Sequence, residues 1–311
     1  MKRALAGLTA AVATLALAAC GGGSDPLTPA ATTTGAPGGS PAPAGTITVG
    51  SANFPESTLL AEIYAAALED KGITVERKLN IGSRETYYPG LLDGSIDLIP
   101  EYTGVLLTHL GDQSGASESD AVYKALQTAL PPELTVLEQS AAENKDAVVV
   151  TKATADERGL KSIADLAKSD DVVFGGPPEF QKRADGIPGL QEKYGLKIKE
   201  YKSLDVGGPL TVDALKTGAV LAADLFTTDP AITANGFVVL EDPESNFAAQ
   251  NVVPLANKAK ATPEVAEVLN GISAKLTTEA LIELNGKLNA PEKPDAAKVA
   301  QEWLTSVGLL S

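Results

Sequence analysis

The hydrophobic pattern of the chain predicts α/β structure from residue 46 onwards. Short β-branched runs alternate with segments that carry apolar residues at three- and four-residue spacing. The first series is a strand "TITVGS", a helix "PESTLLAEIYAAALEDKG", a strand "ITVERKLN", a helix "SRETYYPGLLDGS" and a strand "IDLIPE". This order is typical of a mostly parallel sheet covered by helices.

A second α/β series follows a predicted helix over residues 119–129 and a predicted strand over residues 134–137. It opens with "DAVVVTK", an apolar run typical of a strand that is buried on both faces. Helices are then predicted for "SIADLAKS", "PEFQKRADG" and "PLTVDALKTG", and strands for "DVVFGG", "IKEYKSL" and "AVLAADLF". Three helices end the chain. Two α/β lobes with a helical C-terminal section fit this pattern better than one continuous sheet.

The first 45 residues differ in composition from the rest. A basic start is followed by an apolar stretch that ends in "LAAC", too short and too rich in alanine for a stable membrane span. Residues 1–20 therefore indicate a signal peptide whose lipobox-like end makes Cys20 the lipidation position, with a chance cysteine as the alternative. Residues 21–45 are almost wholly Gly, Pro, Ala, Ser and Thr, typical of a flexible tether. We expect an extracytoplasmic protein, lipid-anchored to the outer face of the cell membrane.

Charge and composition exclude several classes of function. The net charge of −15 argues against a nucleic-acid partner, which needs clustered Lys and Arg. Cys20 is the only cysteine and His109 the only histidine, so His-based triads and thiolate or multi-histidine metal sites are excluded. We predict no metal, no cofactor and no catalytic residues. An enzyme would have to use carboxylates alone, and their spacing does not favour this.

Candidate binding residues lie where predicted strands end and helices begin. In "SANFPES", Asn53 and Phe54 lie beside free backbone N–H groups that can meet an anionic ligand group. The structural alternative is that Phe54 staples the helix and a polar neighbour caps it. The same two interpretations hold for Ser83 in "NIGSRE". The junction "LFTTDP" adds Phe226 and Asp229.

Tyr102 occupies the most unusual of these junctions, "DLIPEYTG". Pro100 and Gly104 are predicted to end a buried strand at a cleft, so that Tyr102 projects toward a ligand instead of the core.

Glu179 and Arg183 are four residues apart in the predicted helix "PEFQKRADG". Such a pair stabilises an isolated helix by roughly 0.2–0.5 kcal/mol, which is a purely structural explanation. Two glycines and two prolines before the helix place the pair at its very start, facing the expected cleft. There, Arg183 is suited to hold a carboxylate in two hydrogen bonds, with Glu179 orienting it.

The chain resembles the osmoprotectant-binding proteins of ABC importers, the glycine betaine/carnitine/choline family. The matching segments include "LLDGSIDLIPEYTG", "AVVVTKATADERGLKSIADL", "PEFQKRADGIPGL" and "DLFTTDPAI". The resemblance implies a two-lobed, periplasmic-binding-protein-like α/β fold of type II, with a ligand cleft between lobes joined by two crossover segments. Lobe 1 is predicted to comprise residues 46–145 plus 250–311, and lobe 2 residues 146–249. The implied protein is a monomer that binds a small solute and works with ABC permease and ATPase subunits.

The resemblance also implies residue roles. Tyr102 matches a tyrosine of the cage that holds a quaternary ammonium, and Glu179 and Arg183 match the carboxylate-binding helix. At a second cage position this chain has Asp146, with Asn144 nearby, although Phe226 is a candidate for another ring. A polyol, a phenolic compound or a cationic amino acid is therefore an alternative ligand in the same transporter role. A carboxylate-based surface hydrolase is the third interpretation.

Overall fold

The computed structural model describes residues 45–112, 114–290, 292 and 294–310. The predicted signal peptide over residues 1–20, with Cys20, lies outside the described residues, as does the predicted tether apart from Gly45. Within the described ranges, no helix is both long enough and apolar enough to cross a membrane.

The described residues form ten strands in two separate five-stranded sheets. The strands are β1 Ile47–Gly50, β2 Val75–Lys78, β3 Leu98–Tyr102, β4 Leu134–Val136, β5 Asp146–Val150, β6 Val172–Gly176, β7 Ile198–Ser203, β8 Ala222–Phe226, β9 Val238–Val239 and β10 Val252–Asn257. The helices are α1 Pro55–Asp70, α2 Arg84–Asp93, α3 Thr103–His109, α4 Ser119–Ala129, α5 Lys152–Arg158, α6 Ile163–Leu166, α7 Ile187–Tyr194, α8 Pro209–Lys216, α9 Pro230–Asn235, α10 Pro263–Ser273, α11 Thr278–Leu288 and α12 Ala296–Ser306.

The first sheet has the strand order β2-β1-β3-β10-β4 and the second has the order β7-β6-β8-β5-β9. In the first, β1 is parallel to β2 and β3, while β10 is antiparallel to β3 and β4. In the second, β6 is parallel to β7 and β8, while β5 is antiparallel to β8 and β9. The chain thus passes from the first sheet to the second after β4 and returns before β10. The predicted two-lobed α/β fold is confirmed.

The sequence suggested that Pro100 ends the strand before Tyr102, but in the structure it does not. It lies inside β3, directly opposite Pro254 of β10. The carbonyl of Pro254 accepts a hydrogen bond from the N–H of Leu137, away from β3. The two prolines therefore form a non-hydrogen-bonded pair of the antiparallel ladder between β3 and β10. At such a pair, the missing N–H groups remove no hydrogen bond between these two strands. Tyr102 remains a strand residue.

The predicted helix "PEFQKRADG" is also wrong, because residues 178–185 form a series of turns and α7 begins only at Ile187. The N–H of Ile187 donates to the carbonyl of Phe180 at 3.0 Å, which folds the segment back on itself. Gly186 permits this close approach, since a Cβ there would lie 1.9 Å from the Phe180 carbonyl oxygen.

Candidate functional site

A cavity of about 50 Å³ lies where the ends of strands from both sheets meet. Tyr102 ends β3, Asp146 begins β5 and Phe226 ends β8, so both lobes contribute to it. The structure brings all of the predicted binding residues except Asp229 to this central cavity: Asn53, Phe54, Ser83, Tyr102, Asn144, Asp146, Glu179, Arg183 and Phe226. Asp229 lines a separate, neighbouring cavity.

Three aromatic rings form one wall of the central cavity. The ring centroid of Phe54 lies 5.4 Å from that of Phe226, in a stacked arrangement, and 6.1 Å from that of Tyr102. Phe54 and Tyr102 belong to the first lobe and Phe226 to the second. A cation within about 6 Å of such ring faces is attracted by their quadrupoles, most strongly where water is excluded.

The helix-capping explanation for the residues around Phe54 and Ser83 does not hold. These two residues occupy the N-cap positions of α1 and α2, and neither helix has a side-chain capping hydrogen bond there. Asn53 is exposed at the cavity. The N-terminal ends of both helices therefore reach the cavity without a capping side chain over them.

Tyr102 is only 6% exposed and packs in the core of the first lobe, so it does not turn away from the core as predicted. It reaches the cavity from within the core because β3 continues through Pro100 to Tyr102 itself. Its hydroxyl donates a hydrogen bond to Glu56 Oε1 at 2.5 Å. Burial, together with the charge of Glu56, raises the pKa of Tyr102, which keeps the phenol protonated as a donor.

Glu56 is a buried carboxylate, 4% exposed, that joins the two lobes behind the aromatic wall. Its Oε1 accepts hydrogen bonds from Tyr102 and from Asn144 Nδ2, the latter at 2.8 Å. Its Oε2 accepts from Thr228 Oγ1 at 2.7 Å and from Asn285 Nδ2 at 2.5 Å. Because these bonds use its four acceptor positions, Glu56 links α1, β3, α11, the crossover before β5 and the segment after β8.

Asn144 is held by this network and by a hydrogen bond from the N–H of Thr228 to its Oδ1 at 3.3 Å. Asp146 accepts a hydrogen bond from Gln250 Nε2 at 3.0 Å, so the two crossover segments meet at the floor of the cavity. Burial raises the pKa of Asp146.

Arg183 pairs with Glu85 of α2, not with Glu179 as the sequence suggested. Its Nε and Nη2 donate to the two carboxylate oxygens of Glu85 at 3.0 and 3.1 Å, across the cleft between the lobes. Burial acts to raise the pKa of Glu85, but the hydrogen bonds from Arg183 and Ser83 outweigh it and lower the pKa to about 2. Glu179 also lines the central cavity.

A second arginine at the cavity, Arg84, is ion-paired within the first lobe. Arg84 Nε and Nη2 donate to Glu101 at 2.8 and 2.7 Å, and Tyr87 donates its hydroxyl to the same carboxylate at 2.7 Å. Both members of the ion pair are buried. This geometry fixes Arg84 as a rigid, internally neutralised part of the wall.

Sequence reasoning missed Glu56, Glu85 and Glu101 as parts of the site. Glu56 was visible only as an acidic residue in the first turn of a helix, and Glu101 as a neighbour of Tyr102. Their partners on other strands, helices and loops lie between 14 and 229 residues away along the chain, so no local pattern points to these contacts.

Two α/β lobes that enclose a cavity at their strand ends define a two-lobed solute-binding protein. The chain belongs to the family described as the substrate binding domain of ABC-type glycine betaine transport systems, which matches residues 45–306. It is 28% identical over 282 residues to the glycine betaine-binding protein YehZ of Escherichia coli, covering 84% of this chain and 90% of that protein. It is 27% identical over 286 residues to a glycine-betaine-binding protein of Pseudomonas aeruginosa, covering 86% and 90%.

The fold is also that of a solved structure described as a glycine betaine/carnitine/choline ABC transporter. The two chains superpose with a TM-score of 0.67 at 24% sequence identity, and the match covers 85% of this chain and 100% of the other. Family membership implies a small-molecule ligand, a permease partner and an extracytoplasmic location. It does not favour the polyol, phenolic, amino-acid or hydrolase alternatives.

Proposed function

We propose that the chain is the solute-binding component of an ABC importer, and that its ligand is a quaternary-ammonium osmoprotectant of the glycine betaine, choline or carnitine type. The observation that carries the proposal is the arrangement of one cavity, in which three aromatic rings and the guanidinium of Arg183 line the same space. A zwitterion with a methylated cation at one end and a carboxylate at the other matches both groups.

The ligand cation is proposed to lie against Phe54, Tyr102 and Phe226, where a desolvated cation gains roughly 2 kcal/mol or more. The ligand carboxylate is proposed to meet Arg183, with Ser83, Asn53 and the uncapped helix ends nearby. Asp146 and Glu179 line the same cavity. Asn144 is assigned a positioning role because its amide is already bonded to Glu56 and Thr228.

The lobe limits proposed are residues 46–145 plus 250–311 and residues 146–249. They are supported by the division of the strands, since β1 to β4 and β10 form one sheet and β5 to β9 the other. The protein is proposed to act as a monomer, without catalysis, together with permease and ATPase subunits.

Attachment to the membrane is proposed to occur through lipidated Cys20 after removal of the signal peptide. This rests on the "LAAC" end of the apolar stretch and the tether that follows it. Detergent-phase partitioning of cell extracts tests it. Wild-type protein is expected in the detergent phase and the Cys20→Ser variant outside it, whereas equal partitioning of the two would contradict the anchor.

Calorimetric titration with glycine betaine, choline and carnitine tests the ligand class. The proposal expects saturable heat with at least one of them, and competition between those that bind. An absence of heat for all three would reject this ligand class.

A further inference from the structure

Two side chains proposed to meet the ligand carboxylate already hold a carboxylate of the protein itself. Arg183 Nε and Nη2 donate to the two oxygens of Glu85 at 3.0 and 3.1 Å, and Ser83 also hydrogen-bonds to Glu85. Two parallel N–H···O bonds are the geometry in which a guanidinium recognises a free carboxylate. The side chain of Glu85 therefore makes the contacts that a ligand carboxylate would need.

These contacts lie at the boundary of the central cavity. Ser83 and Arg183 line both this cavity and a neighbouring one of about 540 Å³. Glu85 lines the neighbouring cavity and is not among the described residues that line the central one. Glu85 thus uses donors that face the central cavity without itself lining that space.

The positive charge of Arg183 is already shared among several carboxyl groups. Arg183 retains other N–H groups, but its guanidinium interacts with the charges of Asp146 and Asp185 as well as with Glu85. A ligand carboxylate added to this group would be repelled by the carboxylates present, since like charges close together interact strongly where water is excluded. Exchange of one carboxylate for another avoids that repulsion.

Glu85 is suited to be the carboxylate that leaves. Its side chain is 45% exposed, so water can solvate the carboxylate when it separates from Arg183. A partly exposed ion pair of this kind contributes little net free energy. By contrast, the carboxylate of Asp146 is held in place by Gln250 Nε2 at 3.0 Å.

We propose that Glu85 is a specificity-determining residue, whose carboxylate takes the place of a ligand carboxylate at Arg183 and Ser83 in the unliganded protein. A betaine has to displace Glu85 to reach both donors. Choline has no carboxylate and leaves the pair intact. Glu85 therefore weakens the binding of betaines relative to choline. The proposal rests on the proposed function for the position of the ligand carboxylate.

Calorimetric titration of Glu85 variants with glycine betaine and choline tests this role. We expect Glu85→Gln to raise the ratio of glycine betaine affinity to choline affinity by about threefold or more, the size of effect that a partly exposed ion pair can have. A merely structural role would weaken both ligands together and leave the ratio unchanged. Glu76→Gln, an exposed change of the same charge on β2, is the matched control and should preserve the ratio.

Glu85→Asp separates direct contact from a long-range effect of charge, because it keeps the charge and shortens the side chain by one methylene group. It is also expected to raise the ratio. When both ligands bind the wild-type protein, an unchanged or lower ratio in Glu85→Gln overturns the proposal. A rise in Glu85→Gln that is absent in Glu85→Asp overturns it as well, since charge alone would then explain the effect.

Sodium acetate separates this proposal from the proposed function, because it carries a carboxylate and no quaternary ammonium. Its binding at constant ionic strength is followed by the Nε–H NMR signal of Arg183, which is identified by its absence in Arg183→Gln. When glycine betaine or choline does not bind the wild-type protein, Glu85→Gln is still expected to bind acetate about threefold or more tightly than the wild-type protein. Equal or weaker binding of acetate by Glu85→Gln then overturns the proposal. Thermal unfolding of each variant verifies that the fold is intact.

Discussion

Arg183 and Glu85 form a two-pronged ion pair across the cleft, with Arg183 Nε and Nη2 at 3.0 and 3.1 Å from the two oxygens of Glu85. The pair joins the second lobe to α2 of the first lobe at the edge of the central cavity. Because the side chain of Glu85 is 45% exposed, we expect the pair itself to stabilise the protein little, in the range of about 0–1 kcal/mol. Its main effect is to hold the guanidinium beside the site proposed for the ligand carboxylate.

Substitution Arg183→Gln should therefore discriminate between ligands. We expect glycine betaine and carnitine to bind at least tenfold more weakly, since a hydrogen bond to a charged group contributes about 1.5–3 kcal/mol. Choline has no carboxylate, and its affinity should change less than threefold. Lys182→Gln removes a neighbouring positive charge and is the matched control. Equal losses for choline and glycine betaine in calorimetric titrations would contradict the role of Arg183.

The pair also illustrates what the sequence could not predict. Spacing within "PEFQKR" pointed to Glu179 as the partner of Arg183, but that inference required a helix over residues that form turns. The actual partner is 98 residues away in the chain. Local patterns carry no information about which carboxylate the closure of two lobes brings to an arginine.

Phe226 should contribute to cation binding through its ring. We expect Phe226→Leu to weaken quaternary-ammonium ligands by roughly 0.5–2 kcal/mol, because leucine fills similar space without a π face. Phe237→Leu makes the same chemical change in the core of the second lobe, away from the central cavity. Titration of both variants with glycine betaine and choline is the measurement. If the Phe237 variant lost as much affinity as the Phe226 variant, the ring wall would have no specific role.

Glu56→Gln should destabilise the fold. The carboxylate accepts four hydrogen bonds, and the amide group of glutamine would face donors with further N–H groups. A buried donor left without an acceptor costs about 1–3 kcal/mol, so we expect a loss of at least that size in urea unfolding. The exposed change Glu76→Gln on β2 is the control. Equal stabilities of the two variants would show that the Glu56 network does not hold the lobes.

The buried pair of Arg84 and Glu101 should make stability depend on pH. Burial acts to raise the pKa of Glu101, but the charge and hydrogen bonds of Arg84 outweigh it, and the folded-state pKa is lowered. Its stabilising contribution is therefore present above the unfolded value of 4.5 and is lost as the pH falls through the folded-state pKa. At neutral pH we expect Glu101→Gln to cost about 3–5 kcal/mol, since it leaves Arg84 buried without a counter-charge.

Urea unfolding of the wild-type protein and the Glu101→Gln variant between neutral and acid pH measures this dependence. The difference in unfolding free energy should shrink as the pH falls below the unfolded value. A difference that stayed constant down to strongly acid pH would contradict the assignment of the titration to Glu101.

Most of the fold could be predicted because its elements are local patterns. The strand β1, the helix α1 and the three C-terminal helices follow from hydrophobic spacing and helix-start signals alone. The strand β10 was missed because Pro254 interrupts "NVVPLAN", and a proline usually argues against a central strand. The strand tolerates Pro254 because the backbone carbonyl of this proline faces Leu137, just beyond the end of β4, and not β3.

The sequence could predict which strand–helix junctions contribute residues to the candidate site, but not the hydrogen bonds that connect those residues. Junction residues such as Asn53, Ser83 and Phe226 follow from the rule that strand ends and helix starts meet at the cleft of an α/β fold. The burial of Tyr102 and the four bonds to Glu56 arise only when both lobes and α11 are assembled.

A crystal structure of the protein with glycine betaine tests the central claim most directly. We predict the trimethylammonium group within about 6 Å of the ring centroids of Phe54 and Phe226, and the carboxylate within hydrogen-bonding distance of Arg183. A ligand bound with its carboxylate toward the rings, or bound outside the central cavity, would contradict the account.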